Sequence, residues 1–165
     1  MNIAEDYADL DERTQGIRLH DAAAFAGMRA AGRLAAEALD LLVPHVVPEA
    51  LTIDLDEMVR NFVLDRGAVP ATIFYRGYSH SSCISINHVV CHGIPGAKRL
   101  KDGDIVNIDV TVIVDGWHGD TNRTYFVGDV PIKASRLVQV TYEALMLGLA
   151  QAKPGVPYEA GHNAA

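Results

Sequence analysis

Two β-prone runs, Ile105–Val114 and Trp117–Val127, are separated only by Asp115-Gly116. An Asp-Gly pair in that position is the strongest short-range hairpin signal. A two-residue type I′ turn needs positive φ at both positions, and its twist matches that of the flanking strands. Such a turn fixes the register, so that Val114 faces Trp117, Ile113 faces His118, Thr111 faces Asp120 and Asp109 faces Asn122. Side chains alternate between the faces of a strand. One face of the hairpin therefore carries Asn107, Asp109, Thr111, His118, Asp120 and Asn122, and the other carries Val106, Ile108, Val110, Val112 and Val114. The apolar face demands a cover, which the rest of the chain has to provide.

Helices are the expected cover. Asp21 is placed to cap one that runs to about Val43, Ala-rich, with Phe25, Met28, Leu34, Leu39 and Leu42 on or near one stripe and Pro44 ending it. Asp54 and Glu57 form a capping-box pattern for a second, with Met58, Val59 and Phe62 facing inward and Gly67 at its C-terminal cap. Shorter β-prone runs follow at Ala71–Tyr75 and Cys83–Asn87. A third helix is expected from about Ser135 to Ala152, with Leu137, Val140, Ala144, Leu145 and Leu149 at helical spacing and Pro154-Gly155 as its stop. Tyr158–Ala165 read as the first turns of a further element, and residues 1–20 as an exposed N-terminal extension. Two helices, a mainly antiparallel sheet and another helix make an α+β domain over residues 21–165.

Composition narrows the classes of function. With 14 Lys+Arg against 21 Asp+Glu in 165 residues, the net charge is −7, which argues against a general nucleic-acid binder. No apolar run reaches the roughly 18 residues a membrane span needs. The acidic N-terminus does not read as a signal peptide. Cys83 and Cys91 fit neither a disulfide framework nor a CxxC pair and read as reduced thiols, pointing to a cytoplasmic protein.

Asp109 and Asp120 are diagonal neighbours on the polar face, with Cβ atoms about 7–8 Å apart or somewhat less. Carboxylates so placed can grip one metal ion or a pair of them. They can equally be part of the solvated face that antiparallel sheets usually present. His92, followed by Gly93-Ile94-Pro95, sits where a β-prone run must turn, which suits metal ligation, hydrogen bonding to a substrate amide or acid/base work. His88 and His118 are of interest through their neighbours, whereas His20 and His45 read as structural. Cys91 is expected on the opposite face from His92, which argues against a Cys-His nucleophilic pair.

Taken together, "SINHVVCHGIPG" and "LKDGDIVNIDVTVIVDGWHGDTNRTYFVGD" resemble the type I methionine aminopeptidases of peptidase family M24. The resemblance runs from about His20 to the end and includes "YRGYSHSSCISIN". It implies a pita-bread (creatinase/aminopeptidase-like) fold, two pseudo-symmetric halves around a two-metal site whose ligands are two Asp, one His and two Glu. The Asp of "NIDVT" is Asp109 and that of "HGDT" is Asp120. The CHGIP histidine, which contacts substrate and helps stabilise the tetrahedral intermediate, is His92. Tyr75, Tyr78 and Cys83 match positions of the methionine side-chain pocket. The implied cofactors are two divalent ions, Co, Mn, Fe or Zn. The implied substrate is the N-terminal Met of nascent polypeptides, met at the ribosome.

Two departures stand out. His88 occupies a position where the family commonly has Glu. The chain also stops at Ala165, before the family's His ligand, second catalytic His and two Glu ligands. The expectation is thus a truncated catalytic domain with negligible activity, in which Glu159 and His162 do not substitute for the missing ligands. The alternative is a non-catalytic pita-bread-like module that binds peptides or a protein partner. Retention of Asp109, Asp120 and the CHGIP histidine argues against it.

Overall fold

The structure is a computed structural model and describes residues 19–73 and 75–157. In chain order the elements are helices α1 (Ala22–Leu42) and α2 (Thr52–Leu64), strands β1 (Val69–Pro70), β2 (Cys83–Ile86), β3 (Ile105–Val114) and β4 (Trp117–Phe126), and helix α3 (Ile132–Ala150). The hairpin forms as its sequence dictates. Asp115 and Gly116 have φ of 49° and 84°, the pair of positive values a type I′ turn needs. The β3–β4 register is the expected one, Val114 opposite Trp117, Thr111 opposite Asp120 and Asp109 opposite Asn122.

Strand β3 is the spine of the sheet. One of its edges is paired along its whole length with β4, and the other is shared by β1 near the turn and β2 near its start, all antiparallel. Val106, Ile108, Val110 and Val112 are completely buried under α1 and α2. Leu34, Ala35, Ala38, Leu39 and Leu42 of α1 and Leu55, Val59 and Val63 of α2 complete this core. At about 1.5–3 kcal/mol for each large aliphatic side chain removed from water, this layer is the main source of stability.

The alanines of α1 have a packing role beyond helix propensity. Ala31 is fully buried, and a Cβ on Gly119 of β4 would collide with the Ala31 backbone, so helix and strand touch main chain to main chain. Tyr125 of β4 ties the same two elements, its phenol donating to the Leu39 carbonyl at 2.6 Å. Burial raises that phenol to about 12. Asp21 caps α1 as expected, accepting from the Ala24 amide.

Several boundaries differ from the expectation. The apolar stripe of α1 begins later, since Phe25 and Met28 are about half exposed; the space beside Gly27 is filled by the Trp117 indole at the hairpin tip. Helix α2 starts at Thr52 without a side-chain cap, and Asp54 lies in its first turn. Its first amides are satisfied from a distance, Thr52 donating to the Lys98 carbonyl and Ile53 to that of Gly96, so no capping box is required. In the run expected as a strand over 71–75, the described residues Ala71–Ile73 and Tyr75 are not in one. After Val69–Pro70 the chain turns, and Thr72 Oγ1 donates to the His80 carbonyl at 2.7 Å, closing a loop that contains a short 3₁₀ turn at Tyr75–Gly77. Helix α3 begins at Ile132, directly after Pro131. Its expected inward residues Leu137, Val140, Leu145 and Leu149 are exposed, because no described element covers that side. Glu159, His162 and the expected element at Tyr158–Ala165 lie outside the described residues, as does most of the 1–20 extension. Among the described residues no helix is long and apolar enough to cross a membrane.

Two substitutions test the packing. Gly119→Ala should destabilise by about 2 kcal/mol or more, because the strand must move off the helix. Gly32→Ala, in open space within α1, should instead stabilise by roughly 0.5–1 kcal/mol. Urea unfolding of the two variants checks both signs. Tyr125 supplies a third test. Its phenol ionises near 10.0 when unfolded and only at about 12 when folded, so the folded state binds more protons between those values. Stability should therefore fall as pH rises through that window. Tyr125→Phe should flatten the fall, as read from unfolding midpoints on either side of pH 10.

Candidate metal and substrate site

The face of β3–β4 turned away from α1 and α2 carries the acidic pair. Asp109 lies opposite Asn122 and Asp120 opposite Thr111, which makes the two carboxylates diagonal neighbours. Asp109 Oδ1 is buried and has no hydrogen-bond partner. Burial pushes the Asp109 carboxyl above the usual carboxylate range. The Asp120 carboxylate raises it further, while the His92 imidazole pulls it down. Two carboxylates turned toward each other, one with an orphaned buried oxygen, form an arrangement that a cation relieves. The donor set therefore fits a divalent metal. Among the described residues, no group of three or more His, Cys, Asp and Glu could hold a metal ion, so Asp109 and Asp120 supply only part of a coordination sphere.

His92 reaches this pair from a loop pressed onto β2. The Ile84 amide donates to the Gly93 carbonyl at 2.8 Å, and the Gly93 amide donates to Ser85 Oγ at 3.1 Å. A Cβ at position 93 would collide with the Ile84 carbonyl, so the glycine of CHGIP is required for close approach. His92 itself is exposed and has φ of 55°, a left-handed conformation that costs an L residue about 1–2 kcal/mol. Backbone strain of this sort concentrates where a side chain must be aimed. Cys91 is exposed beside it.

The residues matched to a side-chain pocket divide. Cys83 pairs with Asp109 across β2–β3, and its thiol donates to Tyr78 Oη at 3.6 Å. The Tyr78 hydroxyl donates to the Ser82 carbonyl at 2.8 Å. Burial pushes both the Tyr78 phenol and the Cys83 thiol up, so both stay protonated near neutrality. Tyr75 stands apart on the 3₁₀ turn, 65% exposed, with the Arg76 guanidinium 5.4 Å from its ring centroid. Of the other histidines, His88, His118 and His45 are exposed, and His20 packs edge-on against Trp117.

One group escaped the sequence reading. Asp56 of α2 is 4% exposed, and its carboxylate accepts from the Ser81 amide, the Ser82 amide and Ser82 Oγ, with His80 Nδ1 at 3.4 Å. The signal available was its place on the buried stripe of α2, with Thr52, Val59 and Val63. A second polar link, Asn107 Nδ2 donating to Asn122 Oδ1 at 2.9 Å and to Thr124 Oγ1 at 3.1 Å, continues the polar face beyond Asp109.

An acidic pair on a hairpin, with a histidine loop laid on the neighbouring strand, gathers two carboxylates and an imidazole on the polar side of an α+β domain. Comparison with known proteins specifies it further: residues 26–165 match metallopeptidase family M24, and the chain belongs to that family. It is 56% identical to methionine aminopeptidase of Rickettsia prowazekii (strain Madrid E) over 139 residues, covering 84% of this chain and 54% of that protein. It is 53% identical to the Escherichia coli (strain K12) methionine aminopeptidase over 131 residues, covering 78% and 50%. The crystal structure of the Rickettsia prowazekii methionine aminopeptidase superposes with a TM-score of 0.79 at 57% identity, over 80% of this chain and 53% of that one. The chain thus spans about half the length of the curated relatives it matches.

The orphaned oxygen gives a direct test of the acidic pair. In EDTA, Asp109→Asn should raise stability by about 1 kcal/mol, since it removes a partly buried charge set against the Asp120 carboxylate. Added Mn²⁺ should raise the melting temperature of the parent chain and leave that of Asp109→Asn nearly unchanged. Thermal melts of both proteins in EDTA and in Mn²⁺ measure this.

Proposed function

We propose that the chain contributes two metal ligands and most of one pocket wall to an aminopeptidase that removes the N-terminal methionine of nascent polypeptides. The observation that carries this reading is the buried, unpartnered oxygen of Asp109, on a carboxyl that the Asp120 carboxylate and the His92 imidazole both act on. The identity of more than half of the aligned residues to methionine aminopeptidases supports it. In this reading residues 21–165 are the catalytic portion and 1–20 an extension, and the protein works in the cytoplasm on chains emerging from the ribosome.

Asp109 and Asp120 would hold two divalent ions, Mn, Fe, Co or Zn, together with ligands from outside the described residues. Such ions supply a nucleophilic water near neutral pH and polarise the scissile carbonyl. His92, exposed and with its imidazole acting on the Asp109 carboxyl, would hydrogen-bond the substrate's scissile amide and the oxyanion that develops from it. Tyr78 and Cys83, both protonated and partly buried, offer a ring and a thiol to the methionine thioether, which packs well against aromatic edges.

The test joins this chain to the carboxy-terminal half of the Rickettsia prowazekii relative and supplies Mn²⁺ and a Met-Ala-Ser peptide. Release of Met is expected from the chimera, and negligible release from the 165 residues alone. His92→Ala should lower kcat of the chimera by about 10²–10⁴. Asp109→Ala should abolish turnover and the bound metal together. A folded, metal-loaded chimera that releases no methionine would end this reading in favour of a non-catalytic peptide- or protein-binding module.

A further inference from the structure

The wall that holds Tyr78 and Cys83 has no regular structure of its own between Gly77 and Cys83, yet it is fixed in place. Three consecutive residues of that segment converge on one carboxylate. Asp56 accepts from the Ser81 amide at 3.0 Å, the Ser82 amide at 2.8 Å and Ser82 Oγ at 2.6 Å, and His80 Nδ1 lies 3.4 Å away. The pocket residues flank this anchor directly: Cys83 follows Ser82, and Tyr78 is tied back to it by its bond to the Ser82 carbonyl. Asp56 in turn is rooted in the core, because Leu55, Val59 and Val63 of the same helix are fully or almost fully buried.

A buried carboxylate is a poor device for stability alone, since apolar packing of similar volume does as well or better. What it adds is direction. Charge-assisted bonds to two successive amides and a hydroxyl admit one geometry for the segment that makes them. We propose that Asp56 is a positioning residue for the substrate pocket, setting where Tyr78 and Cys83 stand through its grip on His80, Ser81 and Ser82. The proposal rests on the reading above only in taking Tyr78 and Cys83 as pocket walls.

The two cysteines report on this grip without any need for turnover, since Cys83 lies in the anchored wall and Cys91 is exposed. In the folded parent chain, iodoacetamide should label Cys91 about tenfold faster than Cys83 or more. Asp56→Asn keeps the shape but removes the charge from the bonds to Ser81 and Ser82, and it sets an amide donor at the Oδ2 position against the Ser81 amide and His80 Nδ1. Cys83 labelling should then rise about tenfold relative to Cys91 and stay constant up to about 1 M urea, which marks a local opening rather than global unfolding. Ser82→Ala, which removes only the hydroxyl bond, should give a smaller rise in the same sense and serves if Asp56→Asn does not fold. A Cys83 rate unchanged in the folded variants, or one that rises only in step with Cys91 and with urea, overturns the proposal. In the chimera, the same variants should raise KM for Met-Ala-Ser about tenfold with kcat within about threefold. Loss of kcat at unchanged KM overturns it equally. A parent chimera without activity refutes the aminopeptidase reading, and the thiol result still decides the role of Asp56.

Discussion

Everything in this chain hangs on the two faces of β3. On one side Val106, Ile108, Val110 and Val112 are wholly excluded from water, and on the other Asn107, Asp109 and Thr111 are only partly so. A slip of one residue in the pairing would send Asp109 into the core and Ile108 into the site, so the register is held by tens of square ångströms of apolar surface per residue. The positive φ values at Asp115 and Gly116 set that register, and only then are Asp109 and Asp120 diagonal neighbours. The geometry of the candidate metal site is thus a by-product of burying the other face.

This explains which parts of the molecule were legible in sequence. The hairpin is local, since its turn residues and alternation lie within one stretch of chain, and the pairing follows without knowledge of anything else. The Asp21 cap is local in the same way. The start of α2 departs from its capping-box signal because its first amides are satisfied by the carbonyls of Gly96 and Lys98, some forty residues away in sequence. The run at 71–75 looks like a strand by composition, but the bond from Thr72 to the His80 carbonyl turns it into a loop. Asp56 was invisible for a related reason. Its partners are 25 and 26 residues distant, and a lone Asp near a helix start reads as surface charge until those partners are known.

The conformation of His92 shows how sequence motif and strain are linked. A left-handed histidine is unfavourable by itself, and what holds it is the neighbouring glycine, whose missing Cβ lets the loop lie flat on Ile84 and bond to Ser85. The Gly-Ile-Pro that follows the histidine therefore has a mechanical meaning. Gly93 gives close approach, Pro95 is buried as a stiff exit, and the histidine itself stays exposed.

The same structure leaves two demands unmet among its described residues, and they are of different kinds. Leu137, Val140, Leu145 and Leu149 of α3 present apolar surface with no cover, a demand for area that any complementary apolar face satisfies. Asp109 presents an orphaned oxygen beside a second carboxylate, a demand for charge that only a cation or a proton satisfies. The first is non-directional and tolerant of sequence; the second is sharp, since a donor misplaced by an ångström leaves the charge unrelieved. Because both lie on one short domain, covering α3 and completing the acidic pair need not be energetically separate. Ligands brought in on an element that also buries the face of α3 would be held to the tolerance metal coordination needs, with the apolar area carrying the cost of ordering them.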